Sequence, residues 1–148
     1  MVSIKISIEV ISPAQEEEIL IRCHQVDDEI HELVDQLKAK PLIILGHHED
    51  QISRIKVNDL YYFEAVDGKV FAYGENSVHE VKQKLYELEE LCEDSPYFRA
   101  SKSTLLNIAK IVSVHPSISG RFQALLENGE KVVISRQYVP VLKHRLGL

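Results

Sequence analysis

A chain of 148 residues, 45% hydrophobic and 27% charged, is long enough for one well-packed domain with a short extension but not for two large ones. No apolar run approaches the roughly 20 residues that span a bilayer, and the N-terminal MVSIKISIEV alternates apolar and polar residues where a secretion signal would be continuously apolar, so a cytoplasmic protein is expected. The net charge of −6 hides a gradient: residues 1–46 carry 4 Lys/Arg against 9 Asp/Glu, residues 47–95 carry 5 against 12, and residues 96–148 carry 8 against 2.

In chain order, Ile4, Ile6, Ile8 and Val10 alternate with polar neighbours and predict a half-buried strand that Ser12-Pro13 breaks. Glu18–Arg22 predicts a second strand. Ile30, Leu33, Val34 and Leu37 fall at i, i+3, i+4 and i+7 and predict a helix. Asp27, Asp28 and Glu29 suit the positive end of its dipole, Lys38 and Lys40 suit the negative end, and Pro41 stops it. Leu42–Leu45 reads as a short buried strand closed by Gly46. The expected class is α+β: a β-β-α-β extension over residues 1–46, then a mostly antiparallel β domain with short helices over residues 47–148.

Within that domain, Tyr61–Val66 and Val70–Tyr73 flank Asp67-Gly68, a strong two-residue hairpin signal. Phe122–Ile134 predicts a second hairpin turning at Asn128-Gly129, with positive φ expected at both turn residues. Val81, Leu85, Leu88 and Cys92 mark a helix between them, and Val141, Leu142 and Leu146 mark a last one with Pro140 near its start.

Metal and catalytic motifs are missing. His47-His48-Glu49-Asp50 gathers four ligand-type residues, but adjacent residues point in different directions and the i, i+4 spacing of a helical zinc pair is lacking. A solvated turn is expected there. The sequence has no phosphate-cradling glycine motif and no nucleophile elbow. Cys23 and Cys92 are isolated thiols, as suits a reducing compartment. No enzyme activity, metal, cofactor or small-molecule substrate is expected.

The segments that carry chemistry are FRASKSTLLN, residues 98–107, and ISRQYVPVLK, residues 134–143. Lys102 lies between two serines and Arg136 follows Ser135, a pairing of hydroxyls with cations that suits phosphate, while Arg can also fork onto a guanine edge. Taken alone, Ser135 is equally a helix cap and Lys102 equally plain surface. The basic C-terminal third either forms an electrostatic footprint on one face or evens out in three dimensions.

Together, YYFEAVDGKVFAY, FRASKSTLLNIAKIVSV and ENGEKVVISRQYVPVLK resemble the LytTR family of bacterial DNA-binding domains, over roughly residues 47–148. The resemblance rests on a Tyr-Ile-Glu-type strand, a Phe-x-Arg-x-His-Arg-Ser segment ending in Asn, and a Ser-Arg-x-Tyr near the C-terminus. It implies a mostly β fold that inserts loops into double-stranded DNA to regulate transcription. Phe98 and Arg99 match the start of the middle block, Ser103 and Asn107 its later positions, and Ser135, Arg136 and Tyr138 the Ser-Arg-x-Tyr. Ser101 departs from the usual His. The expected interface is Lys69, Lys102 and Arg136, with Ser101, Ser135 and Tyr138 beside them and phosphate contacts from Arg99, Ser103, Lys143 and Arg145.

Forty-six residues cannot hold the receiver domain many family members carry, so the chain resembles the stand-alone subgroup, in which a membrane-protein regulatory partner is common. One small domain offers few base contacts, so a homodimer on a repeated site is expected, with the extension's strand edges as its contact. The rival reading is a protein-interaction module whose DNA binding has weakened or been lost.

Overall fold

The computed structural model describes residues 4–38 and 41–148, and the chain divides into two compact units, Met1–Ala39 and Lys40–Leu148. Among the described residues of the N-terminal unit the one regular element is helix α1, Asp28–Lys38. Its start is fixed by Asp27, whose carboxylate accepts the Ile30 N–H at 3.0 Å, the bond expected of an N-capping residue. Neither strand predicted upstream of it forms: residues 4–10 and 18–22 have no regular structure. A strand is defined by a ladder partner, and none of the described residues supplies one. Ile4 and Val10 accordingly stand 86% and 94% exposed.

The remaining strand predicted for the extension forms, but in the other unit. It is β1, Ile43–His48, and runs straight through Gly46. The division between units therefore lies at 39/40, not at 46/47, and the β-β-α-β extension reduces to a single helix.

In the C-terminal unit, β1, β2 (Gln51–Lys56), β3 (Tyr62–Val66), β4 (Lys69–Tyr73), β5 (Val78–Val81), β6 (Tyr97–Ser101) and β7 (Thr104–Asn107) form one antiparallel sheet in the order β2-β1-β5-β4-β3-β7-β6. A second antiparallel sheet contains β8 (Ile111–Pro116), β9 (Phe122–Leu126) and β10 (Lys131–Ile134), with β9 central. Helix α2 spans Leu85–Leu91 and α3 spans Val139–Leu146. Val81, assigned above to the first residue of a helical face, instead closes β5. Among the described residues no helix is long and apolar enough to cross a membrane.

The two hairpin signals have different outcomes. Asp67 and Gly68 both take positive φ, 51° and 78°, and connect β3 to β4 with only two residues, as the right-handed strand twist favours. At the other hairpin only Gly129 has positive φ, 87°. Asn128 acts through its side chain, whose Oδ1 accepts the Glu130 N–H at 3.1 Å and stabilises a longer connection.

Two buried clusters lie on opposite faces of the large sheet. One joins Phe63, Val70, Ala72, Tyr97 and Leu105 to Leu85, Leu88 and Cys92 around α2. The other joins Phe98, Ala100 and Leu106 to Ala124, Leu126 and Ile134 of the small sheet and to Leu142 of α3. Successive residues of a strand point to opposite faces, so Tyr97 and Leu105 enter the first cluster while Phe98 and Leu106 enter the second. Every residue of β7 is buried. Elsewhere the sheet leaves Leu45, Ile52 and Val78 exposed.

A polar lock holds the first cluster. The fully buried Asn107 donates from Nδ2 to the Leu60 carbonyl at 2.8 Å and accepts the Ala109 N–H at 3.0 Å. The Tyr97 hydroxyl donates to the carbonyls of Val57 and Leu60 at 2.7 and 3.0 Å, and burial pushes its pKa up, keeping it a donor. The Leu60 carbonyl accepts from both side chains and the Val57 carbonyl also accepts the Leu60 N–H at 3.1 Å, so neither is stranded by one removal. The loss is of the buried hydrogen bonds themselves, about 1 kcal/mol each, and for Asn107 also of the acceptor for the Ala109 N–H. Asn107→Ala is therefore expected to lower unfolding free energy by at least as much as Tyr97→Phe, read by urea denaturation with an unchanged m-value.

Candidate nucleic-acid interface

Three turns meet at one end of the C-terminal unit. The first is Lys102-Ser103, the two-residue tip of the β6–β7 hairpin, set off by a register shift between Arg99 and Ser101. The shift bends the strand just before the tip, as a bulge does. The Ser101 Oγ accepts the Ser103 N–H at 3.2 Å. The second turn is residues 118–120 between β8 and β9, and the third is the 3-10 turn Arg136–Tyr138 that follows β10.

Backbone bonds bring these turns together. The Ser135 N–H donates to the Ala100 carbonyl at 2.8 Å, tying the end of β10 to the end of β6. The Ala65 N–H donates to the Ser103 carbonyl at 2.8 Å and binds the β6–β7 tip to the β3 strand. In the second turn Ser119 and Gly120 take φ of 60° and 75°, and Ser117 N–H donates to the Arg121 carbonyl at 2.7 Å. A Cβ on Gly120 would lie 2.9 Å from the Arg136 Cδ. The backbone of that loop thus packs directly on the aliphatic stem of Arg136.

The result is an open concavity of about 1070 Å³ lined by Ser101, Lys102, Ser103, Ser119, Arg121, Ser135, Arg136, Gln137 and Pro140. Three cations and four hydroxyls face it, and no carboxylate does. Lys102, Arg121 and Arg136 are all exposed. Such a surface can donate hydrogen bonds to phosphate oxygens, and its arginines can also fork onto a base edge.

Of the residues singled out from sequence, Ser101, Lys102, Ser103, Ser135 and Arg136 line the concavity. Lys69 does not, although it pairs with Val66 at the mouth of the β3–β4 hairpin, beside the Ala65–Ser103 bond. Tyr138 is half-buried and packs on the second cluster. Lys143 projects from α3 with its Nζ 5.4 Å from the centre of the Phe122 ring. Arg99 and Arg145 have partners within the fold. The Arg99 side chain, 21% exposed, directs Nε toward Glu89 of α2 at 3.9 Å, on the face opposite Phe98 and Ala100. Arg145 donates to the Ser95 carbonyl at 2.9 Å and the Tyr97 carbonyl at 3.4 Å, fastening α3 to the start of β6.

Arg121, Ser119 and Gln137 were not anticipated. Ser-Ile-Ser-Gly-Arg between two strand-like runs carries the signal for the first two: a glycine that permits a tight turn, followed by a cation. Among the described residues no three His, Cys, Asp or Glu side chains are grouped to hold a metal ion. Glu49-Asp50 forms the tight β1–β2 turn, and Cys92 is packed in the first cluster, where burial raises its pKa.

A family model described as the LytTr DNA-binding domain matches residues 50–147. The sensory transduction protein LytT of Enterococcus faecalis is 26% identical over 145 residues, covering 94% of this chain and 59% of that protein. An uncharacterised HTH-type transcriptional regulator of Staphylococcus aureus strain MSSA476 is 26% identical over 139 residues, covering 91% of this chain and 94% of the relative. In fold, the chain is similar to a LytTr DNA-binding domain from Bacillus cereus, with a TM-score of 0.69 at 24% identity over 74% of this chain and 100% of that one. With two-thirds of its length matched in one continuous block and the same fold around it, this chain belongs to the LytTR family of DNA-binding domains.

Proposed function

We propose that the protein binds duplex DNA sequence-specifically through the concavity between the three turns and so regulates transcription in the bacterial cytoplasm. One observation carries this reading: Lys102, Arg121 and Arg136 converge with four serines and no carboxylate, in a chain whose net charge is −6. In an acidic protein, a carboxylate-free basic surface implies a polyanionic partner. Arg136 reads a base edge, because the Gly120 loop pins its stem and leaves the guanidinium as the free end. Lys102, Arg121 and Lys143 contact phosphate and set the register, with Lys69 at the flank. Two copies engage a repeated site, since one concavity spans few base pairs.

Three outcomes test this. Phosphate contacts release counterions, giving a slope of about −0.9 per contact in log affinity against log salt. Three such contacts predict a slope of about −3 per copy, and a flat response in fluorescence anisotropy would remove phosphate from the reading.

Arg136→Ala is expected to cost about 1–3 kcal/mol on the preferred site and to relax discrimination there. Arg121→Ala and Lys143→Ala should weaken preferred and scrambled duplexes alike, each lowering the salt slope by about one. Equal losses on both duplexes for Arg136→Ala would make it a phosphate contact.

Gly120→Ala introduces a Cβ into a left-handed position, about 1–2 kcal/mol less stable, and displaces the Arg136 stem. It should reduce discrimination as Arg136→Ala does, and add nothing to discrimination when combined with it. Additive losses in that double-mutant cycle would show that the loop does not act through Arg136.

A further inference from the structure

Helix α1 has 11 residues and buries none of them. An isolated helix of that length is marginal in water and is normally held by packing of its apolar face. Here Ile30, Leu33, Val34 and Leu37 share one face, with Leu33 and Leu37 43% and 50% exposed. The face needs a partner, and the charges around it select which.

Acidic residues fill the first turns of the helix, and Lys38 is the basic residue of its last turn. At about 100° per residue, Asp27, His31 and Lys38 flank the apolar face on one side, and Glu29 and Gln36 on the other. In an antiparallel pair related by a two-fold axis, like flanks meet. Lys38 of each copy then approaches Asp27 and His31 of the other, and each acidic first turn lies beside a last turn carrying Lys38. The two helix dipoles oppose, which is also favourable. In a parallel pair the acidic first turns would stand side by side and repel.

We propose that α1 is the self-association element of this protein: it pairs antiparallel with α1 of a second copy, Ile30 against Leu37 and Leu33 against Val34. The proposal deepens the reading above that two copies act together on DNA, and replaces the strand edges expected from sequence as their contact. A competing surface for self-association, the exposed sheet residues Leu45, Ile52 and Val78, belongs to the other unit.

The test uses the full chain. Sedimentation equilibrium should show a dimer whose dissociation constant rises at least about tenfold in Leu33→Asp/Leu37→Asp, with the melting of the C-terminal unit unchanged. A dimer unaffected by the double substitution, or a wild-type chain that is monomeric both free and on DNA, overturns the proposal while leaving DNA binding intact. Orientation is read in a Cys23→Ser background with a short bismaleimide. A mixture of His31→Cys and Lys38→Cys chains should cross-link to each other, and Lys38→Cys alone should not cross-link to itself. Efficient cross-linking of Lys38→Cys with itself would show parallel pairing and overturn the proposal. Loss of all DNA binding in a chain that still pairs would refute the reading of the concavity instead.

Discussion

Burial of the β6–β7 hairpin on both faces is the constraint from which the site follows. Tyr97 and Leu105 fill one core, Phe98, Ala100 and Leu106 fill the other, and the strands can shift neither way without withdrawing side chains from both. A one-residue slip would exchange the two sets. With the strands fixed, their tip, Lys102-Ser103, is the fully exposed part of the hairpin, and the Ser135–Ala100 bond carries the Arg136 turn to the same end. Two small cores thereby aim three turns without any of the turns being large.

This arrangement also explains how the family-type residues divide their work. The polar atoms of Asn107 and Tyr97 are spent inside the fold, on the carbonyls of Val57 and Leu60 and on the Ala109 N–H. Arg145 bonds the Ser95 and Tyr97 carbonyls, and Arg99 lies beside Glu89. Residues with equal standing in a sequence motif thus separate into those that hold the hairpin and those that it presents.

How much of this was legible in the sequence depended on the range of the signal. Asp67-Gly68 encodes its hairpin locally, because both residues must accept positive φ, and the turn formed as expected. The Ile30–Leu37 periodicity was equally sufficient for α1. Failures came where a local pattern needed a distant partner. Ile4–Val10 alternates like a strand, but alternation records only that one face is apolar, and no ladder forms. Leu42–Gly46 was legible as a strand while its sheet was not, since strand pairing is non-local. At the site, Lys102 and Arg136 stood in recognisable blocks. Arg121 did not, because its place beside Arg136 depends on how the β8–β9 turn folds back, which no sequence period encodes.

The charge gradient has a consequence for how such a molecule meets its target. Acidic residues dominate up to residue 95 and basic residues from 96 onward, and the concavity lies in the basic part. On the proposed reading, a uniformly negative duplex repels the net charge of −6 and attracts the carboxylate-free concavity. Approach by that surface is then favoured over approach by the acidic remainder. If the concavity is the DNA-facing surface, the acid elsewhere on the chain serves orientation without touching a single base.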